Sequence, residues 1–89
     1  MVEAEIQIVN RLGLHARAAA KLVQTANQFE SQVTVARDGE RVDAKSILGV
    51  LLLAAAQGTR VQVRCEGTDE AEALEAIQEL IASRFDEDQ

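Results

Sequence analysis

Asp38-Gly39 stands between two short runs, Gln32 to Ala36 and Glu40 to Ala44, in which apolar and polar side chains alternate. A two-residue connection between antiparallel strands needs positive φ at both central positions, and Asp-Gly supplies it at small steric cost. The dipeptide therefore predicts a type I′ hairpin. Two further segments alternate in the same way. Glu3 to Val9 places Ala4, Ile6 and Ile8 on one face, and Arg60 to Glu66 turns Val61, Val63 and Cys65 inward.

Three segments change to helical spacing. Ala16 to about Asn27 is alanine-rich with Leu22, Val23 and Ala26 on one stripe, and the polar Asn27 and Gln28 end it. Ser46 stands as N-cap before a second helix, Ile47 to about Ala55, which is expected to stop near Gly58. Thr68-Asp69-x-x-Glu72 reads as a capping-box-like start to a third, whose buried stripe is Leu74, Ile77, Ile81 and Phe85. The order is βαββαβα, an α+β architecture with one antiparallel sheet and one of its faces covered by helices.

No proline, internal repeat or low-complexity stretch interrupts the 89 residues, 47% of them hydrophobic, so residues 1–89 are expected to form one domain. Cys65 is the only cysteine and has no partner for an internal disulfide, which points to the reducing cytoplasm. The longest apolar run, Ile47 to Ala56, falls far short of the roughly 20 residues that span a bilayer, so no membrane role is expected. A net charge of −6 argues against nucleic acid, whose phosphates call for clustered Lys and Arg. The charge is uneven. Residues 69–89 hold eight acids against the single base Arg84, and are expected to be a solvated helix face and a frayed tail. Arg11, Arg17, Lys21 and Lys45 lie close in sequence to the stretches around His15 and Ser46.

His15, the only histidine, falls at the N-cap position if the first helix begins at Ala16. There the backbone N–H groups of Ala16, Arg17 and Ala18 lack helical partners and carry the positive end of the helix dipole. That field disfavours imidazolium, so the ring is expected to keep a nucleophilic lone pair near neutral pH. A phosphoryl group accepted by the ring would be held by the same N–H groups and by the planar fork of Arg17. Composition alone favours a surface or core-satisfied histidine. Gly13, the capping position, Arg17 and the basic neighbours together favour the phosphate-binding reading. A metal site is not expected, because there is no second histidine and Cys65 faces the core. Nor does the sequence show a triad with its nucleophile elbow.

The stretch ILGVLLLAAA after Ser46 is apolar on every side, whereas a surface helix carries a polar face. Two readings stay open: a helix wrapped inside the domain, or one that exposes Ile47, Leu48 and Leu51 for a protein partner. A phosphate on Ser46 would sit at a helix N-terminus, leave the helix folded and place roughly two negative charges beside that face. Such a charge would repel partners with acidic docking faces.

GLHARAAAKLV and AKSILGVLLLAAAQGT, at their separation, resemble the histidine-containing phosphocarrier (HPr) family of the bacterial phosphotransferase system, including its nitrogen-regulatory relatives, from about Glu3 to Phe85. The resemblance implies an open-faced sandwich of a four-stranded antiparallel sheet under three helices. It implies a cytoplasmic, monomeric carrier that takes phosphate from Enzyme I and passes it to EIIA-type proteins, without metal or organic cofactor. In this likeness His15 is phosphorylated on Nδ1, Arg17 steadies the phosphate, and Ser46 is the target of an HPr kinase/phosphorylase. Ala20, Ile47, Leu48 and Leu51 form the docking surface, and Lys45 and Gly49 fit the serine motif. The family usually has proline after the His-Ala-Arg triplet, where this chain has Ala18. Proline is tolerated in a first helical turn, so alanine there keeps the fold and adds one N–H donor near the phosphate.

Two other classes of function compete. A regulatory binding module would signal through its phosphorylation state and the apolar face, and its loss would leave sugar uptake intact. A small acyl-phosphate hydrolase would turn over a free substrate without a partner, but no residue is set to activate water.

Overall fold

The hairpin forms as Asp38-Gly39 requires, with φ of 51° at Asp38 and 86° at Gly39. It joins β2 (Gln32–Arg37) to β3 (Glu40–Asp43), with Arg37 opposite Glu40. The structure, a computed structural model, describes residues 1–87. Its other elements are β1 (Val2–Gln7), α1 (Ala16–Ala26), α2 (Ile47–Leu53), β4 (Arg60–Glu66) and α3 (Glu70–Ala82), followed by a single 3₁₀ turn, Arg84–Asp86. The four strands form one antiparallel sheet in the order β1-β4-β2-β3, and the helices cover one of its faces.

β4 lies between β1 and β2, and this register makes the core. Val63 faces Ala4 on one side and Val35 on the other, and Cys65 lies between Val2 and Val33. Val33, Val35, Val61, Val63 and Cys65 are all buried. Burial, with Glu70 and Asp69 nearby, pushes the Cys65 thiol above its ordinary pKa, which leaves it a packing residue with little thiolate character. On this layer α1 lays Ala18, Ala19, Leu22 and Ala26, α2 lays Val50 and Leu53, and α3 lays Ala73, Ile77 and Ile81. The buried alanines of α1 bring its backbone close to the sheet, which sets the depth at which that helix begins.

Three local expectations fail, each to a tertiary demand. α2 stops at Leu53, because Ala54 takes the left-handed conformation (φ 52°, ψ 40°) well before Gly58. The turned chain then offers the Ala55 carbonyl to the N–H of Leu14 (2.9 Å), and Arg37 donates to the Ala54 carbonyl (3.1 Å). The capping box at Thr68 does not form. Asp69 is the N-cap of α3, makes no cap hydrogen bond and points elsewhere, while Glu70 accepts from the Gly67 N–H. Phe85 does not continue the α3 stripe, and Leu74 is only partly buried. The helix ends at Ala82, and Arg84, Phe85 and Asp86 adopt φ of 58°, 55° and 61°. Left-handed non-glycine residues cost roughly 1–2 kcal/mol each. Complete burial of the Phe85 ring offsets part of that at about 1.5–3 kcal/mol.

Candidate functional site

The loop before α1 is built around Gly13. Its φ is +64°, and a Cβ there would lie 2.5 Å from the Ala55 carbonyl oxygen and 2.9 Å from Ala56 Cα, so only glycine fits. Leu14 is buried beside it and donates to the Ala55 carbonyl. The fully buried Asn10 side chain donates to the Gly13 carbonyl through Nδ2 (2.8 Å). Held from both sides, the chain delivers His15 to the N-cap of α1 in extended conformation (φ −75°, ψ 179°), with its carbonyl accepting from Ala19 at 2.8 Å.

The imidazole makes no cap hydrogen bond of its own. Among the described residues no backbone carbonyl accepts from the N–H groups of Ala16, Arg17 or Ala18. The start of α1 thus presents three unmatched donors and the positive end of an 11-residue helix beside the ring. His15 keeps 28% of its side-chain surface exposed.

The other side of the ring overturns the picture of a solvated, frayed acidic end. Nε2 of His15 is in close contact with Oε2 of Glu87, and Oε1 of Glu87 accepts from Asn10 Nδ2 at 3.0 Å. Partial burial works to raise the Glu87 pKa. The hydrogen bonds from Asn10 and His15, with the nearby Lys21 ammonium, outweigh it and hold the carboxyl below its usual value. The segment is tied down by Lys21, which donates to the Phe85 carbonyl (2.6 Å) and lies 4.0 Å from Asp86. Asp88 and Gln89, also in the acidic run, lie outside the described residues.

Arg11, Arg17, Lys21, Asp86 and Glu87 line one surface depression with His15. Arg17 is exposed, and its guanidinium has no hydrogen bond or ion pair among the described residues. Lys45 does not join this group; its Nζ donates to the Phe29 carbonyl at 2.8 Å.

Ser46 caps α2, its Oγ accepting from the Gly49 N–H at 3.2 Å. Of the two readings left open for this helix, the exposed one holds. Val50 and Leu53 are buried, while Ile47, Leu48 (65%), Leu51 and Leu52 (69%) face solvent, and Ala20 on α1 is half-buried. Leu52 and the equally bare Leu12 add to the apolar surface and escaped the sequence reading. So did Asn10 and Glu87, although a lone asparagine closing a strand just before a glycine turn was a signal for the first.

The family model described as "PTS HPr component phosphorylation site" matches residues 2–83. The phosphocarrier protein HPr of Xylella fastidiosa (strain Temecula1) is 54% identical over 88 residues, covering 99% of each chain. A crystal structure of an HPr from Thermoanaerobacter tengcongensis superimposes with a TM-score of 0.97 at 48% identity over the whole of both chains. A crystal structure of an HPr dimer from the same organism gives 0.79 at 49% identity, over 98% of this chain and all of that one.

Proposed function

This chain belongs to the HPr family of phosphotransferase-system phosphocarriers, a relay and not a turnover enzyme, and we propose that His15 is the residue on which it carries the phosphoryl group. The observation that carries the assignment is the part-exposed imidazole beside three unmatched N–H donors at the start of α1, with Arg17 on the same depression. The Nδ1 lone pair attacks the phosphorus of a phosphohistidine on Enzyme I. The new N–P bond forms as the old one breaks, and the departing imidazole keeps its electron pair. The phosphoryl oxygens are then held by the N–H groups of Ala16, Arg17 and Ala18 and by the Arg17 guanidinium, until a histidine of an EIIA-type protein takes the group in the same way.

Partners dock on the apolar face formed by Ala20, Ile47, Leu48 and Leu51, next to the depression. Ser46 is a regulatory site for an HPr kinase/phosphorylase, where a phosphate would leave α2 folded and charge the edge of that face. The carrier works as a cytoplasmic monomer, which size-exclusion chromatography with light scattering tests directly. The acceptor assignment is tested by incubation with Enzyme I and phosphoenolpyruvate, followed by mass spectrometry. Acid-labile phosphate on the wild type but not on His15→Ala is the expected result, and equal labelling of both proteins would refute it.

A further inference from the structure

We infer that Glu87, held in place by Asn10, is a positioning residue that fixes the tautomer of His15; the inference rests on His15 being the phosphoryl acceptor. Asn10 is fully buried, and its Nδ2 has two acceptors, the Gly13 carbonyl at 2.8 Å and Glu87 Oε1 at 3.0 Å. Both of its N–H bonds are used, so the amide orientation is determined and Glu87 Oε1 is pinned. The second oxygen, Oε2, is left facing Nε2 of His15. The backbone cannot easily carry Glu87 away. The left-handed run from Arg84 to Asp86 brings it back towards α1, the Phe85 ring is fully buried, and Lys21 holds the Phe85 carbonyl.

An ionised carboxylate only accepts hydrogen bonds, so Nε2 must carry a proton to meet it. In the neutral ring this leaves the lone pair on Nδ1, the other nitrogen. When Nδ1 attacks phosphorus, the N–P bond to the donor breaks and the donor ring keeps that pair. His15 retains its Nε2 proton and gains positive charge, which the neighbouring carboxylate balances. On outward transfer the electron pair returns to Nδ1. The carboxylate takes no proton at any step, so it orients and stabilises without reacting.

Asn10 makes the idea testable in a way a packing role would not. In Glu87→Gln the Asn10 N–H still claims the side-chain oxygen, so the new NH₂ group turns to the ring and donates to Nε2. That requires the lone pair on Nε2 and moves the ring proton to Nδ1, which disables the nucleophile. Glu87→Ala only releases the ring to water. Phosphoryl transfer from phosphorylated Enzyme I is expected to fall by about tenfold in Glu87→Ala and by about a hundredfold in the isosteric Glu87→Gln. Nitrogen-15 NMR of the imidazole should place the proton on Nε2 in the wild type and on Nδ1 in Glu87→Gln. A Glu87→Gln protein that transfers as fast as Glu87→Ala or faster, or that keeps its ring proton on Nε2, overturns the assignment. Labelling of a parallel His15→Ala sample would instead overturn the acceptor reading itself, which keeps the two failures apart.

Discussion

Asp69 opens α3, yet its carboxylate holds Ser31: Oδ1 accepts from the Ser31 N–H at 2.9 Å and from the Ser31 hydroxyl, and Oδ2 accepts from the Glu30 N–H at 2.9 Å. A residue placed to cap its own helix instead fastens the loop between α1 and β2. The Ser31 hydroxyl, followed by the Glu30 N–H, holds the Asp69 carboxyl below its ordinary pKa, against partial desolvation acting the other way. A carboxyl whose pKa is lower folded than unfolded stabilises the fold fully above the unfolded value, here 3.8, and loses that contribution as pH falls through the folded value. Asp69→Asn is therefore expected to lower the urea midpoint at neutral pH, with the deficit shrinking as the solution is taken to about pH 2. Urea titrations across that range check it, and a deficit independent of pH would contradict it.

Gly13→Ala should damage both stability and function. The added Cβ would push on the Ala55 carbonyl, which is the acceptor for Leu14, and would hold a left-handed φ that alanine resists. The expected cost is about 2 kcal/mol, from strain together with the weakened hydrogen bond. Phosphoryl transfer should slow in the same variant, because the loop sets the position of His15. A change within about 0.5 kcal/mol would show that the loop relaxes freely.

Two substitutions at Ser46 should separate its structural role from its regulatory one. Ser46→Ala removes the acceptor for Gly49 and should cost about 1 kcal/mol of stability while leaving transfer near wild type. Ser46→Asp keeps an N-cap acceptor and should retain stability, but should slow transfer through the charge it brings to the apolar face. Urea denaturation and transfer rates from Enzyme I, measured on both proteins, give opposite rank orders if this is right.

Leu48→Ser and Leu52→Ser test whether the bare face of α2 is used. Both side chains are about two-thirds exposed, so each substitution should change stability by no more than about 0.5 kcal/mol. If partners dock there, each loss should weaken association by about 1 kcal/mol or more, raising the KM of Enzyme I for the carrier about fivefold. An unchanged KM for both variants would move the docking surface elsewhere.

The parts of this molecule legible in the sequence are those decided within a few residues. Asp38-Gly39 set the hairpin, the alternation of Val61, Val63 and Cys65 set β4, and Ser46 set the start of α2. Even the N-cap position of His15 follows from the local change of periodicity. What stayed hidden depends on partners distant in the chain. Ala54 is left-handed although a glycine follows shortly after, because the turn must present Ala55 to Leu14. Asp69 leaves its capping role for donors 38 residues away. Glu87 reaches His15 across 72 positions, and nothing in an acidic run distinguishes the one carboxylate that turns inward. Short-range pattern placed the elements and brought His15 to the start of α1, while the groups that pack against its ring had to be seen in three dimensions.

If His15 is the acceptor as proposed, a single imidazole, open to solvent on one side and backed by its own chain on the other, gives this carrier one doorway. Donor and recipient must use it in turn, so no assembly of three proteins can hand the phosphate straight across. Flux through the relay then has to include the dissolving of one complex and the forming of the next. Grip that is too firm on either side would slow the whole circuit as surely as grip that is too weak.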